Sequence, residues 1–581
     1  MSDSLFRTKK IESILAEGSD ESHGGGELKR VLTMRDLTFF GIAAILGAGS
    51  FSSLGGAVFH GGPGVVILFI ITAIACAFTA FCYSEFASRI PVAGSAYTYA
   101  YASFGELFAW VIGWALIMEY SIGNIYVAYS WSDYFTSFLE KINVHIPQYL
   151  CTSYMEAKGL LTNGSTNKDV LDAWNNAPMI GSQRIIFDLP AFVINILITI
   201  LVYRGIKESR NFSNLMVILK MIVVGLVIIV GGYLVFANGL AFNWTPANDE
   251  GVKSFMPNGF SGVMAAVSGV FFAYIGFDAV SVLAEESKNP QRDLPRGMIL
   301  SLVICTIVYI LLTLVLTGAV NYRNFEGVGD PLAFIFEKQN LNVGWMQFFV
   351  AIAAVIAMTS VLLVFQMGQP RIWMSMSRDG LMPPVFQKIH KKYKTPSFAT
   401  IITGLVVGIP ILFTDKTFVL DFTSIATLFA FVLVCGGVLL IPVKEKQPGK
   451  FHMPHINGQF IFPLIVIGAM VLAVTLSKNY FGNMFNFDFS SNEDYTNGKI
   501  SFMDVATPNI TLIIFWLCAV ALSIITFTKK YSLIPLMGLI TCLYLLTGMT
   551  KSNWAWFLGW LAIGLIIYFL YGYRKSKLAT Q

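Results

Sequence analysis

Fourteen apolar windows recur along this chain, at about 37–59, 64–88, 105–135, 186–204, 212–237, 259–284, 296–320, 343–370, 397–414, 418–442, 460–477, 510–528, 532–549 and 553–573. Each can cross a hydrocarbon core of about 30 Å. Inside lipid every backbone N–H and C=O needs an internal partner, so such windows must become helices. The expected fold class is an all-α integral membrane protein of about fourteen transmembrane helices. Charged residues make up 13% of the 581, about half the usual share in soluble domains. The formal net charge of +5 is spread over loops and requires no nucleic acid partner. The polar first 35 or so residues lack the basic-then-apolar order of a signal peptide, so the first span is expected to insert uncleaved.

An even number of spans puts both termini on one side, and loop charges choose it. With a cytoplasmic N-terminus, about 27 of the 39 Lys and Arg fall inside and about 11 outside. Both termini are therefore expected in the cytoplasm of a multi-pass protein of a plasma or bacterial inner membrane. The outside loops at 140–185 and 481–508 are polar, without basic clusters, and neither reads as a folded domain. The segment from Phe6 to Glu17 has apolar residues at helical spacing that suit a short helix on the inner leaflet. The Ser-Asp-Glu-Ser-His-Gly-Gly-Gly stretch after it reads as a flexible linker. Six of seven cysteines lie in apolar windows and only Cys151 in a long loop, so no disulfide framework is expected. No His or Cys pattern asks for a metal, and no cofactor is expected.

One lysine, Lys220, sits in the middle of the fifth window. A cation at the centre of a spanning helix costs about 2.5–3.5 kcal/mol on insertion scales, so it should face a protein interior or a water-filled path. Desolvation favours a neutral amine, and a lysine that releases its proton can couple transport to a proton gradient.

Two windows carry helix-breaking sequence near their middles. The first holds Gly41, Gly47, Gly49, Gly55 and Gly56, and the sixth holds Phe271-Phe-Ala-Tyr-Ile-Gly-Phe-Asp278. Glycine weakens a helix by about 1 kcal/mol relative to alanine, and interrupted helices persist in membranes only where their backbone lines a cavity or protein. Glycine at these positions also serves close helix packing. Interruptions in the first and sixth spans together point to a five-plus-five inverted repeat with a site between its halves. An amino acid carboxylate would meet N–H groups at Gly47, Ala48, Gly49 and Ser50, chiefly the last two. Its ammonium would meet carbonyls at Phe272, Ala273 and Ile275. Glu119 lies within the third window and Asp278 just past the sixth-window break, where an uncompensated carboxylate would be costly. For Glu119 a substrate or proton role and a structural hydrogen bond stay open; for Asp278, acceptance of N–H groups freed by the break is favoured. Glu285 and Glu286 near Lys288 and Arg292 read as a solvated charge cluster, with an inner gate to Arg35 as the alternative. Tyr97, Tyr99, Tyr101, Trp110, Trp131 and Tyr134 read as an interfacial belt. Ser377-Arg-Asp-Gly380 reads as a turn cap.

Several long strings carry a resemblance. They are Leu5-Phe-Arg with Ile-Glu-Ser-Ile-Leu-Ala, Leu28-Lys-Arg-Val-Leu-Thr, Gly47-Ala-Gly-Ser-Phe51, Pro91-Val-Ala-Gly-Ser-Ala-Tyr97, Gly113 to Tyr120, Phe271 to Pro295, and Gly368 to Met382. Over residues 5 to about 400 the chain resembles the cationic amino acid transporter branch of the amino acid–polyamine–organocation superfamily, including its bacterial members. The last four helices match only in number. The resemblance implies a LeuT-like fold and a transporter rather than an enzyme. It implies that Lys220 takes the place of a sodium ion against the first-helix break, giving proton coupling. It further implies that Phe272 covers the substrate and that Met358 lines the side-chain pocket. Ser50 departs from the isoleucine usual there.

The expected organisation is an N-terminal segment 1–35, a first repeat 36–240, a second repeat 241–443, and four peripheral helices with a short tail at 444–581. The expected function is proton-coupled symport of a neutral amino acid by a monomer in the lipid bilayer, using alternating access. A broad or cationic amino acid carrier or exchanger is the alternative. An amino acid sensor without flux is a third reading. An intramembrane enzyme is disfavoured because no nucleophile motif is present.

Overall fold

The computed structural model describes residues 5–10, 14, 32–47, 49–90, 95–162, 168–181, 183–204, 210–248, 251–393, 395–441, 451–490, 495 and 501–580. Helix occupies every apolar window. The first holds α1 (Met34–Ile45) and α2 (Leu54–Gly61), followed by α3 (Val65–Arg89), the short α4 (Ser95–Ser103) and α5 (Glu106–Lys141). A polar excursion carries α6 (Tyr154–Thr162), α7 (Lys168–Asn176) and the hairpin β1 (Met179–Ile180) and β2 (Gln183–Arg184), paired antiparallel. Then come α8 (Leu189–Arg204), α9 (Arg210–Leu226) and, past a π turn, α10 (Gly232–Ala237). The sixth window is split into α11 (Gly259–Ala265), α12 (Val267–Phe272) and a 3₁₀ stretch Asp278–Glu286. The rest are α13 (Pro290–Ala319), α14 (Gly344–Arg378), α15 (Ser397–Ile411), α16 (Lys416–Leu440), α17 (Ile461–Leu476), α18 (Phe502–Lys529), α19 (Leu533–Leu546) and α20 (Lys551–Ile567). Among the described residues, eight helical stretches are long and apolar enough to cross a membrane, and shorter apolar helices accompany them.

The principal core forms where α13 packs on α1 and α3, α14 on α5, and α16 on α5. Helix α9 shows how sequence sorts its faces. Val217, Lys220, Val223 and Val224 are buried, whereas Leu215, Ile218, Leu219 and Ile222 are exposed. Three-to-four-residue spacing thus gives one face to protein and one to lipid. At the C-terminal end, α17, α18 and α19 build a separate small core around Phe462, Phe515, Trp516 and Leu536. By contrast α20 docks on α5 through a Trp114–Trp560 stack with centroids 4.6 Å apart, and Trp110 Nε1 donates to Gly564 O at 2.9 Å.

Four expectations change. The 140–185 loop does fold: Ala157, Ala177 and Ile186 form a small core with Tyr149, Tyr154 and Trp174. Short apolar spacing within a polar segment hid it. Tyr97, Tyr99, Tyr101, Trp110 and Tyr134 are each at most 2% exposed, so they fill the interior instead of a lipid belt. The Phe6 to Glu17 helix is only partial: Ile14 is helical, its N–H donating to Lys10 O at 3.1 Å, but residues 7–10 are non-helical, because a neighbouring backbone takes hydrogen bonds there. Arg7 O accepts from Glu106 N at 2.9 Å, and Lys9 N donates to Tyr101 O at 3.1 Å. The rest of the Phe6 to Glu17 segment, Ile14 apart, lies outside the described residues, as does the linker after it.

Finally, Asp379 does more than end a turn. Its carboxylate accepts from Lys9 Nζ at 2.9 Å and from Tyr97 at 2.6 Å, and its carbonyl accepts from Lys577 N at 3.1 Å. Glu106, 1% exposed, accepts from Tyr101 at 3.2 Å, Tyr568 at 3.0 Å and Ser576. Both chain ends therefore meet on one face of the bundle. The folded 140–185 segment follows the other end of α5, whose 36 residues span about 54 Å at 1.5 Å each.

Candidate functional site

The first-span helix stops at Ile45 and restarts as a π turn, Gly49–Ser53. Ala48 lies outside the described residues. Leu46 has ψ 74°, which ends the α-helix, and the next backbone groups turn inward. Ser50 N and Phe51 N both donate to Gly47 O, at 3.1 and 3.2 Å. Side chains finish the repair: Ser50 Oγ donates to Gly47 O at 3.0 Å. Ser53 Oγ lies 2.7 Å from Gly49 O and 3.0 Å from Gly269 O. The hydroxyl where relatives are expected to carry isoleucine thus has a local use.

The sixth-span helix stops at Phe272 and resumes at Asp278 as a 3₁₀ stretch. Gly276 has φ +112°, a conformation that glycine alone adopts at little strain. The carboxyl group of Asp278 lies beside the backbone N–H groups of Gly276, Asp278 and Ala279, the capping geometry that freed donors need. Phe272 O accepts from Ile275 N at 3.1 Å. A carbonyl has two lone pairs, so such groups retain capacity for an ammonium.

Glycine lets the two breaks touch. A Cβ on Gly49 would lie 2.5 Å from Ala273 Cα, and one on Gly276 would lie 3.0 Å from the Ala44 carbonyl carbon. On the other side a Cβ on Gly47 would meet Val361 of α14 at 2.7 Å. Met358, fully buried, lies one turn earlier on that face. Tyr309 of α13 joins the breaks, its hydroxyl 2.8 Å from Ile45 O and 2.6 Å from Ala273 O. It is a residue the sequence concealed, because a tyrosine among Ile, Leu and Val looks like filling.

Lys220 reaches the same place from α9. It is 1% exposed, and Nζ donates to Ala43 O at 3.2 Å. A cavity of about 220 Å³ runs between α1, α9 and α14, lined in part by Ala43, Val217, Thr359 and Ser360. Glu119, 4% exposed, has Asp278 and Thr427 as polar neighbours, so the two intramembrane acids are brought together. The side chains of Glu285 and Glu286 lie outside the described residues.

Aromatic rings cover the breaks toward the face opposite the termini. Tyr126 of α5 meets Phe272 edge-on with centroids 4.5 Å apart, and Tyr134 donates to Phe51 O at 2.5 Å. Farther out, Glu156 of α6 is half-buried. Burial, then the Asp133 charge, pushes its carboxyl up to about 7.

Two mutually packed, interrupted helices inside a multi-span bundle define a membrane transporter architecture, not an enzyme centre. The amino acid permease family profile matches residues 32–492, and the profile for the C-terminus of such permeases matches 531–576. The chain is 36% identical over 579 residues to the branched-chain amino acid permease BcaP of Bacillus subtilis, covering all of both chains. It is 38% identical over 473 residues to the methylthioribose transporter of the same organism, covering 80% of this chain and 91% of the relative. Cationic amino acid transporter 2, vacuolar, of Arabidopsis thaliana is 31% identical over 641 residues, covering 99% and 94%. This chain belongs to the amino acid permease family.

Proposed function

We propose that the protein is a proton-coupled symporter of neutral amino acids, working by alternating access in a LeuT-like five-plus-five fold. Its repeats are residues 36–240 and 241–443, and the helices of 444–581 complete about fourteen spans. Both termini face the cytoplasm of the cell membrane, as the loop charges favour, and the monomer is the working unit. The observation that carries this reading is the Lys220 ammonium on the Ala43 carbonyl, at the end of the half-helix leading into the first break. A cation there does what a bound sodium would do, and loss of its proton loosens that break.

In this reading Gly47, Ala48, Gly49 and Ser50 receive the carboxylate, and Phe272, Ala273 and Ile275 the ammonium. Met358 shapes the side-chain pocket, and Glu119 is the neighbouring acid. The Ser50 amide is already bonded to Gly47 O, so carboxylate binding requires that turn to open. The branched-chain relative favours an apolar substrate. The plant cationic transporters keep the second reading, a cationic carrier, in view. Reconstituted protein should accumulate leucine under an imposed inward proton gradient, with or without sodium. Sodium-dependent uptake would overturn the coupling, and arginine uptake without leucine uptake would favour the second reading. Met358→Ser should admit arginine as a competitor; unchanged competition by arginine and alanine would remove Met358 from the pocket.

A further inference from the structure

Above the aromatic cover lies an ion pair that the symport reading does not use. Lys416 is the first residue of α16, held by Asp415, whose side chain accepts from Phe418 N at 2.8 Å. The Lys416 ammonium bonds to the Asp133 carboxylate of α5. It also lies over the Tyr126 ring, 5.6 Å from its centroid. Tyr126 in turn rests on Phe272. A column thus runs from the sixth-span break through Phe272 and Tyr126 to Lys416 and Asp133, where Glu156 adds its charge from the folded outer segment. Gly329 closes the side of this column, since a Cβ there would lie 2.6 Å from Asp133 Oδ2. Ser52 Oγ donates to Gly329 O at 2.9 Å, tying that loop to the first-span π turn.

An ammonium shared between a carboxylate and an aromatic face fixes the ring as well as the charge. Parting the pair frees Tyr126 to leave Phe272 and opens the breaks from this face. We propose that Lys416 and Asp133 form the latch on the face opposite the termini, with Lys416 positioning the Tyr126–Phe272 cover. The proposal rests on the breaks being the substrate site. It adds a residue pair, on α5 and α16, that sets access to that site.

The test separates access from transport. In the full chain carrying Cys151→Ser, a Ser130→Cys probe sits one turn beyond Tyr126, at a position buried in the closed state. A membrane-impermeant maleimide reports its exposure. Lys416→Gln and Asp133→Asn should each speed labelling by about five-fold or more, the size of a modest coupling energy. The exchange Lys416→Asp with Asp133→Lys should return the rate toward that of the parent. Each variant is compared only where its size-exclusion profile matches the parent, and either single variant suffices. Unchanged labelling in a folded single variant overturns the latch. Counterflow of leucine and of arginine by the parent tests the symport reading separately: labelling reports the latch even if neither is carried, and that result would overturn the reading alone.

Discussion

The break in the first span is short and carries its own hydroxyls, whereas the break in the sixth is longer and borrows one from α13. Ser50 and Ser53 repair the first from within. Gly276, Asp278 and Tyr309 shape the second, and its helix resumes as nine residues of 3₁₀ geometry, which bonds its backbone less well than an α-helix. The two breaks are thus chemically unlike. The first is the one the lysine touches, and both share the Tyr309 hydroxyl of α13.

The largest expected effect follows from that asymmetry. Lys220→Ala should abolish proton-driven accumulation while the protein still inserts, because only the first break loses its cation; normal accumulation by this variant would end the coupling role. Next, Gly49→Val should destabilise by about 3 kcal/mol through overpacking on Ala273. Gly56→Ala, with nothing within 4 Å of its added Cβ, should leave apparent Tm unchanged. Equal Tm values for the two would mean that the breaks do not bear on each other. Tyr309→Phe should cost about 1–2 kcal/mol by leaving buried carbonyls short of a donor. Because it serves both breaks, its effect should exceed that of Ser50→Ile, about 1 kcal/mol and confined to the first. Thermal unfolding in detergent would reverse the comparison if Ser50→Ile proved the more damaging.

The smallest effect belongs to the outer segment. Glu156 titrates near 7 in the fold against an ordinary 4.5, so the native state holds more protons than the unfolded state between those values. That group's contribution therefore falls as pH rises through the window. Glu156→Gln should raise apparent Tm slightly at pH 8 and not at pH 4. A larger gain at pH 4 would contradict the sign.

Spans were legible because lipid leaves backbone few choices, and Lys220 because a buried charge is rare in an apolar run. The glycines announced both breaks. What they did not announce is how the freed groups are satisfied, since serine and tyrosine hydroxyls within apolar windows look alike whether they face a break or a neighbouring turn. Tyr97, Tyr99 and Tyr101 misled for a related reason: aromatic residues near a window's end suit a lipid boundary and a buried seam equally. Lys416 and Asp133 lie 283 positions apart, and no local pattern joins them.

The meeting of the chain ends at Asp379 and Glu106 sets an order of events during synthesis. Residues 5–9 leave the ribosome long before Tyr568, Ser576 and Lys577, which complete the surface that holds them. Until then Glu106 lacks two of its donors, and the leading strap has only part of its berth. The seam closes only once those residues are in place, so a protease that cuts near residue 9 should distinguish molecules with a closed seam from those still waiting for Tyr568 to Lys577.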